Sequence, residues 1–570
     1  MPPPPKTACP EPPQKRHNGG GQQRWLLKSK AMCAGIMQHQ HYLAPAPAAT
    51  NKETQIAFFF LSFPSFPRRS FVDTDKVKGL TGPRTAFVSR ASTTRLAAAA
   101  AGEASAATAV AGSSSSLDTA SLEFSSEEAY HEHLKGQGKL PLGFRVGTDG
   151  LRFVPKEVPS EVTMNVTAIV MDEPSDRWAA VFTRNMFPGA PVIVGRERLA
   201  AEGRAIQAVV VNNKISNVCP GGDSKGGTAA GTGGASAGVA DSESICQRVA
   251  EEFGLGGGAG AVVPCSTGVI GWRLPVGAIC DQLGPLKTKM RSDSLYPASK
   301  SIMTTDRYPK MRGTDVGSNG GRLVGIAKGA GMIEPDMATM LVYLVTDLQI
   351  PRDKMRELLS KKADASFNCI SIDSDTSTSD TVMLLSSGKV PLAEGDLEDF
   401  EEKLGRVCHG LAEDVVRNGE GTAHVMEVSV TGAPTAGLAR HLGKAVVNSP
   451  LFKAAVAGND PNVGRLLAVV GRVMGREAPE TDVTKTRISL GGHVVFEDNT
   501  FAISPEMETE LFDLFKRAEM TTADGEHLPY PPHFRVVPIE IDLGAGAGAA
   551  TVLGSDLTAE YVHINGDYRS

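Results

Sequence analysis

The chain has 570 residues, 41% apolar and 21% charged, the proportions of a globular protein long enough to bury more than one full core. A formal net charge of −6 and a pI near 6.1 offer no broad basic surface for a phosphate backbone, so nucleic acid is not an expected partner. No run approaches the roughly 20 apolar residues of a membrane-spanning helix, and the eight scattered cysteines, with no CxxC pair and no histidine at ligand spacing, predict reduced thiols and no metal site.

Residues 1–125 lack the pattern of a folded domain. They open on PPPP, are rich in Ser, Ala and Pro, and between Met1 and Gly102 carry only Glu11, Glu53, Asp73 and Asp75 against many Lys and Arg. Such a stretch cannot bury enough apolar surface to offset the entropy of ordering, and its acid-poor bias is that of an organelle-targeting leader. The mitochondrial matrix is the first expectation and the plastid stroma the second. Folding is predicted to begin near Leu140. From there MNVTAIVMDEPSDRWAAVFT reads as two strands around a polar turn, and PVIVG at Pro191 and AIQAVVVN at Ala205 continue the β pattern. Residues 219–240 read as a low-complexity loop, followed by a helix from about Ser242. GASAG within that loop spells a nucleophile elbow, but Ser236 has neither the strand before it nor the helix after it that such a turn requires.

Further on, CSTGVIGWRLP at Cys265 ends an apolar run in a Ser, Thr and Gly turn, where glycine lets a backbone N–H approach a ligand. KGAGMIEPDMATML at Lys328 places a Gly-rich turn, a lysine and a proline before a threonine at the head of the strand MLVYLVTDL. A helix follows at Pro351, then a Ser/Thr-rich loop with Asp373, Asp375 and Asp380. That loop lacks the spacing of a calcium site, so its carboxylates are read as loop-ordering groups. A long helix is predicted from Asp396 to Arg417, a half-buried strand at HVMEVSVTGA and a hairpin over Gly491 and Gly492. GAGAGAA near the end has dinucleotide-fingerprint spacing but no room for the βαβ unit that the fingerprint needs.

These words together resemble the ornithine acetyltransferase family, the bifunctional glutamate and amino-acid N-acetyltransferases of arginine biosynthesis. The resemblance spans about Gly143 to Ser570 and rests on STGVIG, IMTTD, KGAGMIEPDMATM, SFN with DSDTSTSDT, NGEG and the closing YVHINGDYRS. It implies an α/β fold of α+β type, with mixed sheets packed by helices, in the self-cleaved N-terminal-threonine group of the DmpA-like superfamily. It further implies cleavage between Ala338 and Thr339, giving an α segment (126–338) and a β segment (339–570), two of each in a heterotetramer. By the same resemblance Thr339 is the nucleophile, Thr267 and Gly268 form the oxyanion hole, and Thr304, Lys328, Thr339, Glu420, Asn565 and Ser570 bind substrate.

The implied reaction moves acetyl from N2-acetyl-L-ornithine to L-glutamate through an acetyl-threonine, with no cofactor or metal and with acetyl-CoA as an alternative co-substrate. Two other readings stay open at this point: a self-processing amidohydrolase or aminopeptidase in which water accepts the acyl group, and an uncleaved, non-catalytic binding protein. The chain departs from the family pattern in places. The word VNSGNAN stands here as VNNKISN from Val211, His424 replaces a lysine, and Ala330, Glu334 and Asp336 replace Ser, His and Asn. The changed 210–217 segment is expected to bear on substrate preference.

Overall fold

Alternate residues of a strand face opposite sides of its sheet, so a strand apolar on both sides must be sandwiched. Leu341–Leu348 meets that condition with all eight residues buried, and the computed structural model places it in the middle of a five-stranded sheet. Residues 123–220, 233–335, 340–522 and 525–566 are described, with side chains from 237 onward in the second stretch.

In chain order the elements are α1 (Glu127–Gln137), β1 (Phe144–Phe153), β2 (Val162–Ser175), β3 (Trp178–Phe182), α2 (Ala190–Ala200), β4 (Ile206–Asn212), α3 (Gly233–Phe253), β5 (Val262–Ser266), α4 (Val276–Thr288), α5 (Tyr296–Ser301), β6 (Lys310–Val316) and β7 (Gly321–Lys328). After these come β8 (Leu341–Leu348), α6 (Arg352–Ala365), β9 (Ile370–Ser371), β10 (Thr381–Val390), α7 (Asp396–Arg417), β11 (Val425–Ala433), α8 (Ala436–Val447), α9 (Pro450–Ala457) and α10 (Val463–Glu477). The chain closes with β12 (Arg487–Leu490), β13 (His493–Glu497), β14 (Thr500–Phe501), α11 (Pro505–Ala518), β15 (Val537–Asp542), β16 (Gly548–Ser555) and α12 (Ala559–Gly566).

Two sheets stack face to face, one ordered β1-β2-β4-β5 and the other β3-β10-β8-β7-β6. Ile169, Val209 and Val263 of the first meet Ile326, Tyr343 and Val345 of the second. The alternate residues point outward to helices. Val166, Ala168 and Val170 pack with Ile245 and Val249 of α3 and Leu283 of α4. Val342, Leu344 and Leu348 pack with Met355 and Leu359 of α6 and Phe400, Leu404 and Leu411 of α7. The result is four layers: helix, sheet, sheet, helix.

The second sheet draws strands from both sides of the Ala338–Thr339 position. β7 pairs antiparallel with β8, Lys328 lying opposite Leu341, while β3 from the first part of the chain borders β10. A third sheet, β14-β13-β12-β15-β11-β16-β9, buries its apolar face under α8 to α11.

The predicted strand MLVYLVTDL, the helix after Pro351, the helix Asp396–Arg417 and the Gly491–Gly492 hairpin all form where expected. GAGAGAA spans the turn after β15 and the first residues of β16, two strands that flank β11 in one sheet, so it is no dinucleotide fold. Three expectations are corrected. Order begins before Leu140, since α1 starts at Glu127 behind the cap Ser126. PVIVG is helical: Pro191 sits in the first turn of α2, where its fixed φ suits a helix, and Gly195 lies so near the Phe182 ring that a Cβ would come within 2.8 Å. The helix expected from Ser242 begins at Gly233, and Gly238 within it serves close packing, since a Cβ there would fall 2.7 Å from Asn217 Oδ1. Ser236 is therefore inside a helix. The two strands around the polar turn, β2 and β3, form as expected and enter different sheets. No helix among the described residues is long and apolar enough to cross a membrane.

Candidate active site

Strand β5 hands the chain to the turn that begins with Thr267. The Thr267 amide donates to Asn212 O at 3.1 Å and the Val269 amide to Lys214 O at 2.9 Å, so the turn lies against the segment after β4. Gly268 between them has φ +122°, and a Cβ there would stand 2.1 Å from Lys214 O, which leaves glycine as the one residue that fits. Ser216 binds the same turn twice, its amide at 3.0 Å and its hydroxyl at 2.8 Å both donating to Val269 O. The segment that departs from the family word thus supports the predicted oxyanion turn.

Lys328, the last residue of β7, is buried and its Nζ donates to Thr267 Oγ1 at 3.1 Å. An ammonium has no acceptor, so Thr267 takes this bond through its oxygen and its own hydroxyl proton points elsewhere. Beyond Lys328 the chain is held at nearly every step. The Glu420 amide donates to Ala330 O at 2.8 Å. A Cβ on Gly331 would lie 2.4 Å from Glu420 Oε2, so this glycine makes room for the carboxylate. Asn565 Nδ2 of α12 donates to that same oxygen at 2.9 Å. The Met332 and Ile333 amides donate to the Asp373 carboxylate at 2.6 and 2.7 Å, which makes Asp373 a loop-ordering group in fact. Burial raises the pKa of Asp373, and the backbone amides only partly oppose that rise. Lys444 Nζ donates to Pro335 O at 2.7 Å, and past 336–339 the Met340 carbonyl accepts from the Thr381 amide at 2.9 Å.

Six of the predicted positions, Thr267, Gly268, Thr304, Lys328, Glu420 and Asn565, line one cavity of about 300 Å³, and Met340, the residue after Thr339, lines it too. Five separate stretches of chain deliver them: the end of β5, the turn after α5, the end of β7, the loop after α7, and α12. Ala338, Thr339 and Ser570 lie outside the described residues. The sequence reading missed Ser216 and the wall Ser377 to Asp380, which also line the cavity. Ser216 carried a signal, since it sits in the one word that departs most from the family pattern. The wall belongs to the DSDTSTSDT word, but no spacing within it says which side chains face a cavity.

The ArgJ family model matches residues 154–570. The arginine biosynthesis bifunctional protein ArgJ of Brucella suis is 39% identical over 413 residues, covering 70% of this chain and 90% of that protein. Glutamate N-acetyltransferase Oat2 of Streptomyces clavuligerus is 36% identical over 431 residues, covering 75% of this chain and 98% of that protein. Among solved structures, the arginine biosynthesis bifunctional protein ArgJ of Bacillus halodurans aligns at 30% identity with a TM-score of 0.33, covering 39% of this chain and 97% of that one. With a family model spanning most of its length and relatives aligned nearly end to end, the chain belongs to the ArgJ family.

Proposed function

We propose that this chain is a self-cleaving acetyltransferase of arginine biosynthesis, a glutamate N-acetyltransferase that takes acetyl from N2-acetyl-L-ornithine. The observation that carries the reading is the convergence of Thr267, Gly268, Thr304, Lys328, Glu420 and Asn565 on one cavity, beside the residue that follows Thr339.

In the precursor, the Thr339 hydroxyl attacks the Ala338 carbonyl carbon and the peptide nitrogen leaves it, giving an ester. Water then splits the ester into the Ala338 carboxylate and a chain that begins with Thr339. The freed α-amine has a reference pKa of about 7.7–8.0, against about 10.4 for lysine, so near neutrality much more of it is available as a base. In the mature protein that amine takes the hydroxyl proton as Thr339 Oγ1 attacks the acetyl carbonyl. The developing oxyanion accepts from the Gly268 amide and from the Thr267 hydroxyl, whose proton is left for this use by the Lys328 bond. Collapse breaks the amide C–N bond, the leaving nitrogen takes the proton, and ornithine departs. The amine of glutamate then attacks the acetyl-threonine ester and restores the free hydroxyl. Glu420, braced by Asn565, faces the cavity as a partner for a substrate ammonium, and Lys328 supplies positive charge for a carboxylate. Thr304 and Ser570 complete the binding set, and acetyl-CoA is an alternative acetyl donor for the same threonine. Residues 1–125 act as an import leader, to the mitochondrial matrix before the plastid stroma, and the two chain pieces assemble two by two.

Intact mass under denaturing conditions, with Thr339→Ala alongside, tests the first step. The expected result is a fragment of about 24 kDa, the share of the 60.0 kDa chain that residues 339–570 make up, in the unmutated protein alone. One uncleaved chain in both samples would overturn the mechanism. Cleavage followed by release of acetate, with none reaching glutamate, would make the protein a hydrolase instead.

A further inference from the structure

Behind the cavity wall, and not lining it, Asp306 and Lys310 form an ion pair with neither side chain accessible to solvent. A buried pair is weak evidence of stability, because desolvation offsets much of its attraction, so its wiring is the informative feature. Asp306 Oδ2 accepts from the Thr304 amide at 2.8 Å and faces the Thr304 hydroxyl at 3.4 Å. Asp306 Oδ1 accepts from the Gly329 amide at 2.9 Å, directly after Lys328, and from Lys310 Nζ. Lys310 Nζ donates in turn to Asn418 Oδ1 at 2.6 Å, two residues before Glu420. Three stretches that bear predicted substrate-binding residues therefore converge on one carboxylate and its ammonium. Each lies far from the others in sequence.

We propose that Asp306 is a positioning residue for acetyl transfer, and that the chain Thr304/Gly329–Asp306–Lys310–Asn418 sets the separation of Thr304, Lys328 and Glu420 across the cavity. The assignment rests on the acetyltransferase reading of that cavity. Its physical basis is directional. The carboxylate accepts backbone amides from two walls at once, and charge-assisted bonds of this kind hold geometry better than neutral ones. Lys310 then carries the constraint to the third wall. Contact with substrate stays with Thr304, Lys328 and Glu420, and Asp306 acts through them.

Asp306→Asn removes the charge but strands Lys310 in the interior, so it can fail by misfolding. Asn418 provides the cleaner handle. Asn418→Leu keeps the approximate volume but removes the acceptor for Lys310, whereas Asn418→Asp keeps an acceptor. For transfer from N-acetylornithine to glutamate, Asn418→Leu is expected to raise KM for the donor about tenfold with kcat within about twofold, the loss of one bond to a charged group. Asn418→Asp is expected to restore KM to within about twofold. Hydrogen exchange on the same proteins, without substrate, should speed up for Asn418→Leu in peptides covering 301–308 and 326–331 as well as 416–423. Equal KM for the two variants, or faster exchange confined to 416–423, would overturn the proposal. If the unmutated protein transfers no acetyl, the functional reading fails and the exchange pattern alone decides whether the three walls are coupled.

Discussion

The stacked sheets and the seven-stranded sheet solve the burial problem in opposite ways. The core between the third sheet and α8 to α11 is built mainly from apolar side chains, among them Phe452, Leu466, Ile488, Phe515 and Ile541. The stacked sheets bury comparable apolar clusters, yet at one end of β5, β7 and β8 they also bury Lys328, Lys310, Asp306, Thr267 and Glu420. Polar groups in the interior cost free energy unless fully partnered. The buried His424–Asp556 pair beside β11 is partnered away from the candidate active-site cavity, whereas Lys328, Thr267 and Glu420 line it, and this separates the region selected for chemistry from the region that supports it. Substitutions in the two regions should therefore show up in different measurements.

Phe452→Ala gives the largest effect in the apolar region. The ring is fully buried in α9, and emptying such a site costs about 3–5 kcal/mol of folding free energy. Denaturant unfolding should show that loss, while kcat and KM of the folded fraction stay unchanged; a kinetic change as large as the loss of stability would erase the distinction. Thr267→Ala tests the converse. Removing one oxyanion donor typically lowers kcat by about 10²–10³, with the unfolding midpoint in denaturant nearly unmoved. A fall in stability without a fall in kcat would move Thr267 out of the site.

Lys453 crosses the boundary between the two regions. It belongs to α9, but its Nζ reaches Ile372 O at 2.5 Å and Ser555 Oγ at 3.4 Å, and burial, only partly opposed by Asp556, Asp373 and Glu334, lowers its pKa from 10.5 to about 8. Between pH 8 and 10.5 the unfolded chain binds more of this proton than the folded one, so stability should rise with pH through that window, by up to about 3 kcal/mol. Below pH 8 both states hold the proton and the contribution is flat. Lys453→Met should remove the alkaline rise, which unfolding curves at pH 7.5 and 9.5 would detect. An unchanged rise in the variant would assign it to other groups.

The same division accounts for what the sequence could disclose. A strand-ending turn or a loop carboxylate taken alone carries no site assignment; Thr267, Gly268, Lys328 and Glu420 were legible through contiguous words, STGVIG, KGAGMIEPDMATM and NGEG, that resemble the family's. Ser216 and the Ser377 to Asp380 wall were not, because long-range pairing brings them to the cavity: β4 beside β5 carries in the first, β8 beside β10 the second. Periodicity fixes which face a residue takes, and says nothing of which strand lies next to it. PVIVG failed for a related reason. Its β-branched residues suit a strand locally, but the tertiary contact of Gly195 with Phe182 favours the helix that Pro191 begins.

The smallest expected effect is also the sharpest test of the division, since it asks whether one hydroxyl at the cavity changes rate without changing stability. Ser216 Oγ donates to Val269 O at 2.8 Å, a carbonyl that the Ser216 amide already engages at 3.0 Å, so Ser216→Ala leaves the acceptor satisfied and removes only the second bond. A net loss of about 0.5–1.5 kcal/mol is the usual range for one hydrogen bond. If the hydroxyl stiffens the turn that holds Gly268, that energy is missing chiefly in the transition state, and kcat should fall about two- to tenfold with KM and the unfolding midpoint little changed. If the midpoint falls and kcat does not, Ser216 belongs with Phe452 as a support of the fold, and the catalytic region ends at Thr267.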